Sequence, residues 1–418
     1  MRMGPLGGLR VLEFAGVGAG PHCAMMLADM GADVIRIDRP TPSGLGVAVA
    51  PEFDILGRGR RSVAIDLKKS EGREVALGLL ARADASIESF RPGVMERLGL
   101  GPEICLRVNP RIVYARLTGW GQSGPYSHAA GHDINYIALA GALHGIGPAE
   151  GPPQPPMNLL GDFGGGALHC VVGMLGALLH AQRTGEGQVV DAAMVDGVTA
   201  MMGLVVSWRR AGLWTLERGD NFVDGGAPYY STYRTSDGLY VAVGAMEEKF
   251  YNLLLDKLGI SGIPHMRPHT DRKLWPEQRK IFQATFARQT RREWCDLLEG
   301  TDVCFAPVLT MDEAAEHPHI QARGMYVDLN GVAHPAPAPK LSRTPARIRS
   351  SSPCVGEHTS EVLSEWGWDR THLSRLLDSG AIIQAPAIAS TEWERANATS
   401  LAETATDRSR SKPDHRRG

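Results

Sequence analysis

The run Leu9-Arg-Val-Leu-Glu-Phe14, followed at once by Ala15-Gly-Val-Gly-Ala-Gly-Pro21, constrains this chain more than any other stretch. A short apolar strand gives way to a glycine-rich turn, then to the helical spacing of His22 to Met30, which stops at Gly31. Asp33-Val-Ile-Arg-Ile-Asp38 reads as the next strand. Strand, turn, helix and strand in that order make a βαβ unit, and the crossover helix forces its two strands to run parallel. The pattern continues: Ser62 to Leu67, Asp84 to Phe90 and Ile112 to Leu117 are strand-like, and Glu71 to Ala83 is helical. The predicted fold class is α/β, with a large Rossmann-like domain built on an open parallel sheet.

After Gly185 the character of the sequence changes. Met194 to Trp208 reads as one long apolar helix, and Gly219 to Tyr233 as an irregular connector rich in glycine and aromatic residues. Leu239 to Gly244 opens a second segment, with helices predicted at 247–259, 276–288 and 290–300 and a closing strand from Cys304 to Leu309. This gives four predicted parts: a large α/β domain over 1–187, with the chain returning to it at about 326–360; a connecting helix and linker over 188–224; a smaller α+β domain over 225–325; and a tail, 386–418. The tail is rich in Ala, Ser, Thr and Arg with no apolar period, and is predicted to be disordered.

Charge narrows the function classes. Among 418 residues, 44 Lys+Arg stand against 46 Asp+Glu, and this balance argues against a nucleic-acid partner, which calls for a basic excess. The six cysteines, at 23, 105, 170, 295, 304 and 354, form no CxxC pair. Reduced thiols in a cytoplasmic setting are the expectation. Met1 to Leu6 leads directly towards the first strand, with no secretory pattern. Phe163 to Leu179 is apolar but short for a bilayer and interrupted by three glycines, so a buried core helix is expected rather than a membrane span.

The first turn resembles a dinucleotide-binding fingerprint but lacks its third glycine, where Pro21 stands, a residue suited to the first helical position. Arginines gather near predicted strand ends, at 36, 39, 58, 60, 61, 91 and 97. They suit a ligand with several phosphates, and they suit an ion-paired rim equally well. His132 follows a glycine-rich loop beside Asp133 and Asn135, where it can act as a base or as a plain hydrogen-bonder. Asp162 precedes Gly164-Gly-Gly166, as the N-cap of a helix or as a functional carboxylate. Glu247 and Glu248 fall at a helix start, where acids complement the dipole. Nucleophile-elbow, P-loop and His-Glu-x-x-His motifs are absent.

Taken together, Gly4-Pro-Leu, Phe90-Arg-Pro-Gly-Val-Met-Glu-Arg-Leu-Gly-Leu100, Gly131-His-Asp-Ile-Asn-Tyr136, Asp162-Phe-Gly-Gly-Gly166, Gly187 to Asp196 and Gly225-Gly-Ala-Pro-Tyr-Tyr230 resemble the racemase branch of the family III CoA-transferases, enzymes that act on α-methylacyl-CoA thioesters. The resemblance covers roughly residues 4 to 345. The Asp162 motif is shared with the transferases, in which the matching aspartate is a nucleophile. The motif around His132 marks the racemases.

The resemblance implies epimerisation of a 2-methylacyl-CoA at its α-carbon, as part of fatty acid and lipid metabolism, with His132 and Asp162 as two bases on opposite faces and an enolate between them. Donors for the enolate oxygen are expected from N–H groups near Asp162 or Gly164–Gly166. Glu247 is expected to orient the histidine, reaching it from the partner chain of an interlocked homodimer. Arg39, Arg91 and Arg97 match positions around the CoA phosphates; Ile65, Asp66, Leu67, Lys68, Ser89 and Phe90 match loops along the adenosine and pantetheine; Gly131 and Tyr136 match the thioester pocket. Met194, Met201, Met202 and Met246 are candidates for a methionine-rich acyl surface. No metal and no cofactor beyond the CoA of the substrate is implied, and no membrane partner. The alternative is a family III CoA-transferase with Asp162 as nucleophile.

Overall fold

A computed structural model describes residues 4–385 except 42, 43, 45 and 48. The predicted tail over 386–418 lies outside the described residues. The described chain divides into two compact units, one of residues 4–129, 166–194 and 326–385, the other of 130–165 and 195–325. The segment 130–165, expected within the large domain, therefore packs with the second unit. Its contacts explain this: Ile137, Ala142 and Leu160 share a small apolar cluster with Val198 and Met202.

The first unit holds six parallel strands: β1 (Arg10–Phe14), β2 (Asp33–Asp38), β3 (Arg61–Ile65), β4 (Ala85–Glu88), β5 (Val113–Thr118) and β6 (Val189–Ala193). They lie in the order β3-β2-β1-β4-β5-β6, the doubly wound arrangement whose strand order reverses between β1 and β4. Buried on both faces, these strands read as near-continuous apolar runs; Leu12, Phe14, Ile35, Val63 and Tyr114 meet in the core. The helix Ala19–Asp29 starts three residues earlier than the sequence suggested, which makes Pro21 its third residue rather than its first. Proline is tolerated there because the first four N–H groups of a helix have no intrahelical partner.

Charge is buried in this unit as well. Arg60 pairs with Glu13 on β1, and Arg58 donates through Nε and Nη2 to Asp29 at 3.2 and 2.6 Å.

The second unit contains the antiparallel sheet of β7 (Tyr230–Arg234), β8 (Tyr240–Gly244) and β9 (Phe305–Pro307). Helices Glu248–Lys257, Trp275–Phe286 and Arg291–Leu298 supply its aromatic core, in which Tyr233, Tyr251, Phe282, Phe286 and Trp294 pack together. Helical continuity fails over Met194 to Trp208: a break at Met202 separates Met194–Met201 from Gly203–Arg210.

The chain returns to the first unit through a hairpin, β10 (Tyr326–Leu329) and β11 (Val332–Pro335). It ends with helices Thr359–Glu365 and Arg370–Asp378 and with β12 (Ile382–Ile383), which pairs antiparallel with β3 at the sheet edge. Leu363, Trp366 and Leu376 join the core, so the return extends well past the expected limit near 360.

Candidate active site

In the first unit, the predicted CoA-binding residues gather at the carboxyl ends of β2, β3 and β4, where ligands bind in open α/β sheets. The glycine turn after β1 closes directly on the residue after β4: a Cβ on Gly20 would stand 2.6 Å from Ser89 Oγ. Beyond Ser89, the Arg39 guanidinium lies over the Phe90 ring at 5.6 Å. Glu88 fixes this loop, accepting from the Phe90 N–H at 2.7 Å and from Arg116 Nε at 2.8 Å. Arg116 in turn reaches Glu96 at 2.8 Å.

The structure separates the arginines by their partners. Arg36, Arg58, Arg60 and Arg61 each carry a carboxylate partner and belong to the ion-paired framework. Arg39, Arg91 and Arg97 are exposed and have no carboxylate partner among the described residues. Exposed guanidinium groups towards the carboxyl end of the sheet suit a polyphosphate ligand.

Ile65 is a different case. Its side chain is buried in the core, which leaves only its backbone for a ligand. Asp66 is half-buried and closes a local turn, its Oδ1 accepting from the Lys68 N–H at 3.0 Å, while Leu67 packs on the core and Lys68 is exposed.

The second unit brings His132 and Asp162 together. His132 precedes the helix Asp133–Leu139, and its N–H donates to Asn135 Oδ1 at 3.0 Å. The Tyr136 hydroxyl donates to the Gly131 carbonyl. These bonds hold the backbone of 131–132 and leave the imidazole at the surface of the chain. Asp162 lies within a π-helical run, Leu159–Leu168, that continues as the α-helix His169–Thr184. Such wide turns recur at functional sites because the extra residue per turn re-aims a side chain.

Asp162 is thus no N-cap, and Gly164–Gly166 sit inside the run rather than at a helix start. The Asp162 N–H is already committed, donating to Asp133 Oδ2 at 2.8 Å, so it is not available to an enolate oxygen. Burial pushes the Asp162 carboxyl up and the Asp133 charge adds to this, against the hydrogen bond from Asn158 and the nearby His132.

Glu247 caps the helix Glu248–Lys257 and makes no hydrogen bond or ion pair with His132 among the described residues. Its charge acts instead on Cys304, whose thiol is raised by burial first and by Glu247 next. Of the four methionines, Met201 is 40% exposed, and its methyl would lie 3.3 Å from a Cβ on Gly164. Met194 is buried, Met202 packs on the small cluster with Ile137, and Met246 packs on the aromatic core.

Two residues of the site escaped the sequence reading. Asn158 donates through Nδ2 to Asp162 Oδ2 at 3.1 Å, a contact that its i, i+4 spacing could have indicated. Asp133 stands in the motif around His132, but its contact with Asp162 spans 29 positions, and nothing local in the sequence indicates that contact.

Fold and site define an acyl-CoA enzyme of a known class. Residues 6–359 match the model of CoA-transferase family III, and the chain belongs to that family. It is 47% identical over 375 residues to the alpha-methylacyl-CoA racemase of Mus musculus, covering 89% of this chain and 96% of that one. With the alpha-methylacyl-CoA racemase of Homo sapiens it shares 46% identity over 387 residues, 91% and 98% of the two chains. Among solved structures, a CAIB/BAIF family protein from Brucella suis superposes with a TM-score of 0.75 at 27% identity, covering 88% of this chain and all of that one.

Proposed function

We propose that the chain inverts the α-methyl stereocentre of 2-methylacyl-CoA thioesters by transferring a proton out of one face and into the other. The observation that carries this reading is a histidine beside an aspartate whose carboxyl is held above its ordinary value. An unperturbed aspartate titrates at about pH 4, and raising it weakens the carboxyl as an acid and strengthens the carboxylate as a base. In this reading the histidine and the raised aspartate each serve as base in one direction and as acid in the other. One base takes the α-proton, the C–H electron pair moves into the thioester carbonyl to give an enolate, and the other group returns a proton to the opposite face. The proton balance is complete, with no net redox change. Identity near 47% with racemases over most of the chain supports the same conclusion.

Arg39, Arg91 and Arg97 are assigned to the CoA phosphates in this reading. Glu247 is assigned to orienting His132 from the partner chain of a homodimer, which accords with the lack of a bond between them within one chain. A cytoplasmic place in branched-chain lipid metabolism fits the substrate class.

The rival within the family is CoA transfer through an acyl-aspartyl intermediate at Asp162. That route has no use for a base beside the nucleophile. Incubating the protein in deuterated water with a 2-methylacyl-CoA, with and without an acceptor acid, separates the two. Racemisation with deuterium entering at the α-carbon is expected. CoA exchange onto the acceptor with stereochemistry retained overturns the proposal.

A further inference from the structure

We propose that Asp133 is a positioning residue for the aspartate of the base pair: its buried carboxylate, gripping the N–H groups of Gly161 and Asp162, fixes where the Asp162 carboxylate stands and sets a negative charge beside it. The inference rests on the two-base reading above and extends it to a residue in contact with neither substrate face.

The geometry is specific. Asp133 is 5% exposed, and its Oδ2 accepts from the Gly161 N–H at 2.6 Å and from the Asp162 N–H at 2.8 Å. The approach is so close that position 161 accepts no side chain: a Cβ there would lie 2.6 Å from Oδ2 and 2.8 Å from Cγ. One oxygen thus holds two successive peptide units of the π-helical run, and the backbone on either side of the Asp162 Cα cannot rotate freely. His132 is the neighbour of Asp133 in sequence, so one short segment carries the first base and grips the second.

The second oxygen explains why a charged group stands here. Asp133 Oδ1 is buried and has no hydrogen-bond partner. An amide oxygen would hold the same two N–H groups, so the grip alone does not call for a carboxylate. A buried charge left half satisfied is costly, and its benefit here is electrostatic. The groups that face Asp162 are Asp133, His132 and Asn158. Asp133 is the only one of these that makes the Asp162 carboxylate a stronger base, and the other two act in the opposite sense.

The test is the pH dependence of kcat/KM for racemisation, measured from both enantiomers of one 2-methylacyl-CoA with the full-length protein. Asp133→Asn keeps the acceptor and removes the charge. Its acid limb should move to lower pH by on the order of one unit, equally in both directions because the ratio of the two kcat/KM values is the equilibrium constant. Asn158→Ala should move the limb the opposite way. Comparison with wild type cancels the ionisations of the substrate.

Asp133→Ser, which also keeps an acceptor without a charge, serves if the asparagine variant does not fold. An unmoved limb in a folded variant, whatever happens to Tm or kcat, overturns the role of Asp133. Absence of α-proton exchange in the wild-type protein overturns the underlying two-base reading instead, so the two failures are distinct.

Discussion

His132→Ala and Asp162→Asn each leave one face of the α-carbon without a base, so inversion should fall by about 10²–10⁴-fold in both variants. Each should still exchange the α-proton of one enantiomer slowly, because the remaining base reaches its own face. CoA binding should survive, since the free guanidinium groups of Arg39, Arg91 and Arg97 lie on other elements. Chiral analysis and deuterium incorporation over long incubations check this; near wild-type racemisation in a folded His132→Ala variant would falsify the assignment. A second expectation concerns stability. The Asp162 carboxyl is held above its ordinary value chiefly by burial. A group raised in this way favours the fold below about pH 4 and loses that contribution as pH rises. Asp162→Asn should therefore raise Tm at neutral pH, and the gain should fade towards pH 3. A Tm that drops at neutral pH would show that the ionised carboxylate is a net stabiliser.

At the scale of the element, the helix Leu159–Thr184 makes contrasting demands on its glycines. Gly161 is pressed against Asp133, whereas Gly176 has no atom within 4 Å of the place its Cβ would occupy. Gly161→Ala forces a shift against rigid neighbours and should cost about 1–3 kcal/mol. Gly176→Ala only relieves the entropic penalty of glycine and should gain up to about 1 kcal/mol. Denaturant titration of the two variants compares them, and equal effects would mean that the contact with Asp133 yields easily. The same helix marks the limit of what its residues disclose in sequence. Its apolar spacing was plain, but the carboxylate that accepts from its opening N–H groups belongs to Asp133, 28 positions before Gly161. The βαβ strands were legible because Val, Leu, Ile and Ala dominate each short run, even where a charged residue such as Glu13 or Arg116 interrupts it. The helix break at Met202 was not, since Met202 and Gly203 fit an apolar helix as well as they fit its interruption. Of the site, His132 and Asp162 stood out as chemical types beside glycines. The sorting of the arginines did not, because Arg60 and Arg39 differ only in what the fold sets beside them.

For the whole molecule, the end of the described chain is part of the first unit's core. Val362, Leu363, Trp366, Leu373, Leu376 and Ile382 are all buried there. Each large apolar side chain taken from water contributes roughly 1.5–3 kcal/mol, and the six together match the entire stability of an ordinary domain, about 5–15 kcal/mol. Truncation after Val355 should therefore yield protein that does not fold cooperatively, seen as loss of the thermal transition and of soluble yield. A truncated protein that keeps a sharp transition within a few degrees of wild type would show that these helices dock without supporting the sheet.

The pairing of β12 with β3 also sets an order in time. Ile65 waits for Ile382, 317 positions further on. At ribosomal speeds of about 5–20 residues per second, that interval lasts roughly 15 to 60 s. Throughout it the nascent chain carries an open strand edge, the kind of surface that recruits other strands. The edge stays open until Ile382 has been made and can pair with Ile65.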